Sequence, residues 1–152
     1  MQFIKIKEIK PLNGKEMRVL VRNVSDNIVR ITRVDLIEIL PEPIERRMLF
    51  GLIKTRVKGM LIGTKIYGYG ILSHEVKIKP DEEYWLVIPL EKSLDENHKY
   101  KLAIKGEVIV GYARTLLESR VEVKKEFITI YEFTIKNGKI HELREISTQI
   151  RE

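Results

Sequence analysis

The 152-residue chain contains no cysteine. Disulfides, thiolate metal sites and thiol nucleophiles are therefore excluded. Alanine and glutamine occur only twice each, against 22 Ile, 15 Leu and 12 Val. So little of the best helix former, beside so many β-branched residues, disfavours a helix bundle and favours sheet. The nine glycines and five prolines are too few and too scattered for a collagen-like or low-complexity segment. No apolar run approaches the roughly 18 residues of a membrane-spanning helix. Met1 to Lys7 alternates polar and apolar residues instead of presenting the apolar block of a signal peptide. A cytoplasmic protein with no membrane partner is expected. Nucleophile-elbow, P-loop and dinucleotide fingerprints are all missing.

What is present describes a folded object. Hydrophobic residues at 43% exclude a disordered chain, because that much apolar surface offsets the entropy of ordering. The length suits a single domain, 1–152, which buries roughly 68–70% of its unfolded surface without staples. The net charge of +6 permits an anionic partner without requiring one. Eighteen Glu and 17 Lys, with no Cys and scarce Gln, follow the compositional habit of hyperthermophile proteins and suggest an archaeal source.

Period-two alternation dominates. Ile4 and Ile6 share one face of a first strand, and Met17, Val19 and Val21 one face of a second. Asn23 to Asn27 has turn chemistry. Ile28 to Ile39 reads as two strand segments separated by a bulge, ended by Pro41 and Pro43, which cannot donate to a ladder. Strands follow at Phe50–Lys58 and Met60–Leu72, interrupted at Gly51, Gly59 and Gly63, then at Glu75–Lys79 and Tyr84–Leu90. Pro89 near its end marks the last of these as an edge or a bulge. Gly106 divides Tyr100–Ile104 from Val108–Tyr112. Val121, Val123, Phe127, Tyr131, Phe133 and Ile135 share one face of a long strand, with a bend expected near Lys124 and Lys125. Asn137-Gly138 is the signature of a type I′ hairpin, in which both central residues need positive φ. Helix is confined to Ala113–Ser119 or to the tail from Glu142 to Glu152, which adds either a strand or a short helix; Leu143, Ile146 and Ile150 there have helical spacing. Seven to ten short strands with turns every 8–12 residues indicate an antiparallel sandwich.

Leu94 to Leu102 resembles the tyrosine corner of immunoglobulin-like and fibronectin type III sandwiches. In that motif a Leu precedes by six residues a Tyr whose hydroxyl bonds backbone upstream, here Leu94 and Tyr100. Val19 to Ile31 is similar to the early hairpin of such folds, including the late embryogenesis abundant WHy type, where an Asn closes one strand and a β-branched strand follows. That type prefers Pro after the Asn, and this chain has Val24. The resemblance implies architecture and carries no functional residue across.

No catalytic or metal constellation is apparent, and no cofactor or small-molecule ligand is expected. His74, His98 and His141 stand apart without ligand spacing. Two features could bind. Lys54, Arg56 and Lys58 fall on one face of a strand, as phosphate-neutralising cations or as guards of an edge. Lys65, Tyr67 and Tyr69 also share a face, where tyrosines could stack on bases or pack in the core. Packing and edge protection are the preferred readings of both. The function expected is a non-catalytic module binding a protein partner or itself. The alternatives are a nucleic-acid-binding protein using Lys54, Arg56, Lys58, Lys65, Tyr67 and Tyr69, or an enzyme whose site is assembled from distant residues.

Overall fold

The computed structural model describes residues 2–12, 14–48, 53–68, 75–117 and 120–151; side chains are described at all of these except 11, 12, 41–48 and 53–58. The strands are β1 (Ile4–Leu12), β2 (Glu16–Asn23), β3 (Ile28–Met48), β4 (Ile53–Ile66), β5 (Val76–Ile78), β6 (Glu83–Pro89), β7 (Lys99–Arg114), β8 (Arg120–Lys136) and β9 (Lys139–Arg151). One sheet runs β1-β2-β6 and the other β4-β3-β7-β8-β9, with β5 also on β3. Every pairing is antiparallel. The fold is the all-β sandwich that the alternation predicts. β1-β2-β6 stands where strands A, B and E stand in immunoglobulin-like domains, and β3-β7-β8 where C, F and G stand. Among the described residues no helix is long and apolar enough to cross a membrane.

The inner faces follow period two and meet in one buried cluster. Met17, Val19 and Val21 face Val34, Leu36, Leu102, Ile104, Phe127 and Phe133 across it. A bulge at Thr32, between the registers Ile31↔Gly106 and Arg33↔Lys105, shifts the inner set of β3 from odd to even positions. Asn23 closes β2 as its position predicts. Fully buried, its amide donates to the carbonyls of Asn27 and Ile78 at 2.7 and 2.8 Å, and its oxygen accepts from the Ser25 amide and hydroxyl. Asn137 and Gly138 turn the β8–β9 hairpin with φ of 54° and 72°. Tyr100 lies at the start of β7, fully buried, and its hydroxyl accepts the Asp95 N–H at 2.7 Å. The tyrosine corner is present.

Several boundaries differ from the expectation, each for a physical reason. The prolines do not end β3. They lie in a register break between Ile39↔Gly59 and Ile44↔Val57, where no ladder hydrogen bond is asked of them. Likewise, β4 runs unbroken through Gly59 and Gly63. Gly106 does not divide β7: a Cβ there would lie 2.6 Å from the Arg30 carbonyl and 2.7 Å from the Phe127 ring, so glycine admits a close approach. The bend expected near Lys124 is an extra residue on the facing strand, Val110, between the registers Ile109↔Lys124 and Gly111↔Val123. Of the two forms expected of it, the tail takes the strand, β9. Its pairing slips at Ile146 and again near Glu142, whose φ is 54°, and these slips convert a strand's alternation into apparent helical spacing. Ala113 and Arg114 end β7 and a turn follows at Leu116 and Leu117, while Ser119 lies outside the described residues.

Candidate interaction surface

The structure separates the residues singled out from sequence. Lys54 and Arg56 pair in register with Arg47 and Glu45 on β3, but the side chains of Lys54, Arg56 and Lys58 are outside those described. Tyr69 and His74 lie outside the described residues altogether. Lys65 is exposed. Tyr67 is not: it retains 7% of its surface, and its hydroxyl accepts the Val87 N–H at 3.3 Å and reaches the Val87 carbonyl at 3.5 Å. Burial raises its pKa above the ordinary 10.0. The Tyr67 ring is a strut from the end of β4 to the edge strand β6, and its face is unavailable to a base.

A cluster not visible in the sequence lies beside the tyrosine corner. Alternation puts Glu38 on the inner face of β3 after Val34 and Leu36, opposite Tyr100. Glu38 is buried, its Oε1 lies 2.5 Å from His98 Nδ1, and its Oε2 lies 2.7 Å from Lys92 Nζ. Lys92 also bonds Asp95 at 3.0 Å. The ligand atoms of Glu38, Asp95 and His98 converge as they would around a metal ion. Two of the three already touch the Lys92 ammonium, so the chain supplies the cation itself. Hydrogen bonds that Lys92 donates to Glu38 and Asp95 raise its pKa, and the latter bond lowers that of Asp95. A charged residue on an apolar face is the signal that points to this cluster in the sequence.

The opposite end of β7 differs. The last pairing of β7 with β3 is Ile28↔Ile109, and that of β8 with β9 is Glu126↔Arg151. Beyond them, among the described residues, β7 and β8 pair only with each other, through Gly111↔Val123, Tyr112↔Glu122, Ala113↔Val121 and Arg114↔Arg120. This is a two-stranded arm, a structure marginal in water on its own. By alternation from Phe127, the arm's inner face carries Val121, Val123, Gly111 and Ala113, and its outer face Tyr112, Arg114, Arg120 and Glu122. Val121 and Val123 are 48% and 45% exposed, and at the turn Leu117 is 88% exposed and Leu116 wholly so. Covering a leucine stabilises by about 1.5–3 kcal/mol, which the isolated chain forgoes twice at this tip.

Ion pairs hold the arm in place. Arg30 of β3, 2% exposed, donates from Nε to Glu75 at 2.7 Å, from Nη1 to Glu107 at 2.9 Å, and from Nη2 to both oxygens of Glu122 at 2.7 and 2.9 Å. Lys124 adds a 3.2 Å pair to Glu107. The Arg30 hydrogen bond lowers the Glu75 pKa. A buried guanidinium with matched carboxylates is costly to desolvate and costly to break, so its consequence is one fixed geometry. Here it ties Glu75, just before β5, together with β7 and the arm strand β8, to β3.

No protein-family model matches the chain, and neither the curated proteins nor the solved structures include a match. The reading of function therefore rests on surface chemistry. A concavity of about 440 Å³ beside β7, β8 and β9 is lined by Thr32, Lys105, Glu107, Glu126, Ile150 and Arg151 among others, with charges of both signs.

Proposed function

We propose that the chain is a non-catalytic β-sandwich module that binds another protein, or a further copy of itself, through the arm formed by β7 and β8. One observation carries this reading: a two-stranded arm, anchored to β3 through Arg30 and Glu122, carries exposed Val121, Val123, Leu116 and Leu117 beyond the strands that flank the rest of β7 and β8. Contiguous apolar surface of this kind marks interaction sites. Rigidity supports it further, since a preorganised element loses little entropy on docking. The composition suits a thermophile's intracellular protein. Nucleic acid is a poorer occupant, because burial of Tyr67 removes one member of the Tyr67/Tyr69 pair that would stack on bases, Tyr69 lying outside the described residues.

The test is a photo-crosslinking residue at position 117, with one at the also exposed Ile66 of β4 as control, in an extract of the native host. Protein adducts at 117 and not at 66 are expected. Adducts to nucleic acid at 117, or equal yields at both positions, would contradict the reading.

A further inference from the structure

We infer that the inner face of the arm packs on the same face of the arm of a second copy of this chain, an assignment that rests on the arm being the docking element. The first support is continuity. Along the rest of β7 and β8 the inner face is covered by the β1-β2-β6 sheet, and Val108 and Phe127 there are 1% exposed. The same face runs on into the arm without a cover. Its residues suit a β-surface: Val121, Val123 and Ala113 bring no hydrogen-bonding side chain, and a Cβ built on Gly111 meets nothing within 4 Å. A flat, small-residue, β-branched face is what packs against another sheet at about 10 Å.

The second support is self-complementarity. The arm is apolar at its tip, through Leu116 and Leu117, and at its root, where Val110 and Ile150 are 42% and 41% exposed and Ile150 lies opposite Phe127. A two-fold axis across the arm sets each tip on the other's root, the isologous pattern in which one patch meets itself.

Charge placement is the third. Arg114 and Arg120 face each other across the ribbon on its outer side, away from Val121 and Val123, and make no ion pair among the described residues. Lys125 shares the inner face near the root, and it is engaged within the chain. Two copies, each of net charge +6, then meet through the arm's own uncharged inner-face residues, Val121, Val123, Gly111 and Ala113, with Arg114 and Arg120 turned outward. An anionic membrane or a nucleic acid would instead need those arginines on the contact side.

Sedimentation velocity of the full chain tests this. Concentration-dependent dimers are expected within about 1–100 µM, and Val123→Glu should weaken them at least about tenfold. Leu117→Ser at the tip should act in the same direction and guards against a misfolded Val123 variant, with circular dichroism as the check on both. Tyr112→Ser on the outer face should leave the dimer intact. Raising salt from about 0.05 to 0.5 M should preserve or strengthen it, because like charges are screened and apolar burial is not weakened. Dimers indifferent to both inner-face variants overturn the proposal, as do dimers lost with Tyr112→Ser alone. A monomer across this range overturns the second-copy assignment alone; the crosslink at 117 then still decides whether the arm docks a different protein. A monomer that sediments with phosphatidylserine vesicles, or is retained on DNA, in a salt-weakened manner overturns both.

Discussion

The two ends of strand β7 carry similar sequence and end in opposite circumstances. At one end Tyr100 and Leu102 are fully buried, the tyrosine stacks on Phe133 at 5.6 Å between centroids, and its hydroxyl holds the Asp95 amide. At the other, the inner-face Val121 and Val123, paired with Ala113 and Gly111 of β7, are exposed, and the strand leads to two bare leucines. Both ends alternate, and both present an inner face. The difference is whether the facing sheet reaches them. Alternation states which side of a strand is apolar; it does not state whether anything covers that side. The closed end is where the fold stabilises itself, and the open end is where surface is left for a partner.

The comparison can be broken hardest at Arg30, the anchor of the open end. Arg30→Met leaves Glu107 and Glu122 without their guanidinium, and the loss of one partner from such a buried network costs about 3–5 kcal/mol. Urea unfolding should register that loss, and limited proteolysis should find the arm cut faster than in the wild type. At the closed end Tyr100→Phe keeps the ring and removes only the acceptor of the Asp95 amide. It should cost about 1 kcal/mol, or about 2–4 °C in Tm for a chain of this size. A wild-type Tm would remove the corner from the account of stability.

Acid should weaken both ends. Glu75 beside Arg30 and Asp95 beside Lys92 have carboxyls held below their ordinary values of 4.5 and 3.8. A carboxylate whose pKa is lowered by folding contributes stability above its unfolded value, lost as pH falls through the folded one. Glu132 adds to this: burial pushes its carboxyl up, but the bonds from Arg144 and Lys99 outweigh it and the net shift is downward. Unfolding midpoints should therefore hold from neutral pH down to about 4.5 and then fall. In alkali the sign reverses at Lys92, raised above its ordinary 10.5, so its contribution persists past that pH and is lost only higher. The smallest effect belongs to the tip. Leu116→Ser with Leu117→Ser should change monomer stability by less than about 0.5 kcal/mol, since nothing in the chain packs on either. A larger change would show that the tip is part of the fold.

Much of the fold was legible before any coordinates. The inner faces of β2 and β8, the Asn23 closure, the Asn137-Gly138 turn and the Tyr100 corner all follow from local chemistry that needs no distant partner. The misread boundaries share one cause. Pro41, Gly106 and the Leu143–Ile146–Ile150 spacing carry local signals, and pairing register overrode each of them. A proline is harmless where no ladder bond is needed, a glycine serves a neighbour's ring, and a slipped register gives a strand helical spacing. The site was less legible. Tyr67 and the arm's valines sit in equally alternating sequence, and only the extent of the opposite sheet makes one buried and the others exposed. The Glu38–Lys92–His98 cluster joins residues far apart in the chain, although a glutamate at an inner position already signalled that a partner was required.

Amide hydrogen exchange of the wild-type chain, followed at increasing protein concentration, tests the contrast between the two ends most directly. The account predicts that exchange over residues 110–125 slows as concentration rises, while the amides around Asp95 and Tyr100 exchange slowly and alike at every concentration. Exchange in the arm that is slow at high dilution and indifferent to concentration would mean that the open end is already closed within one molecule, and would contradict it.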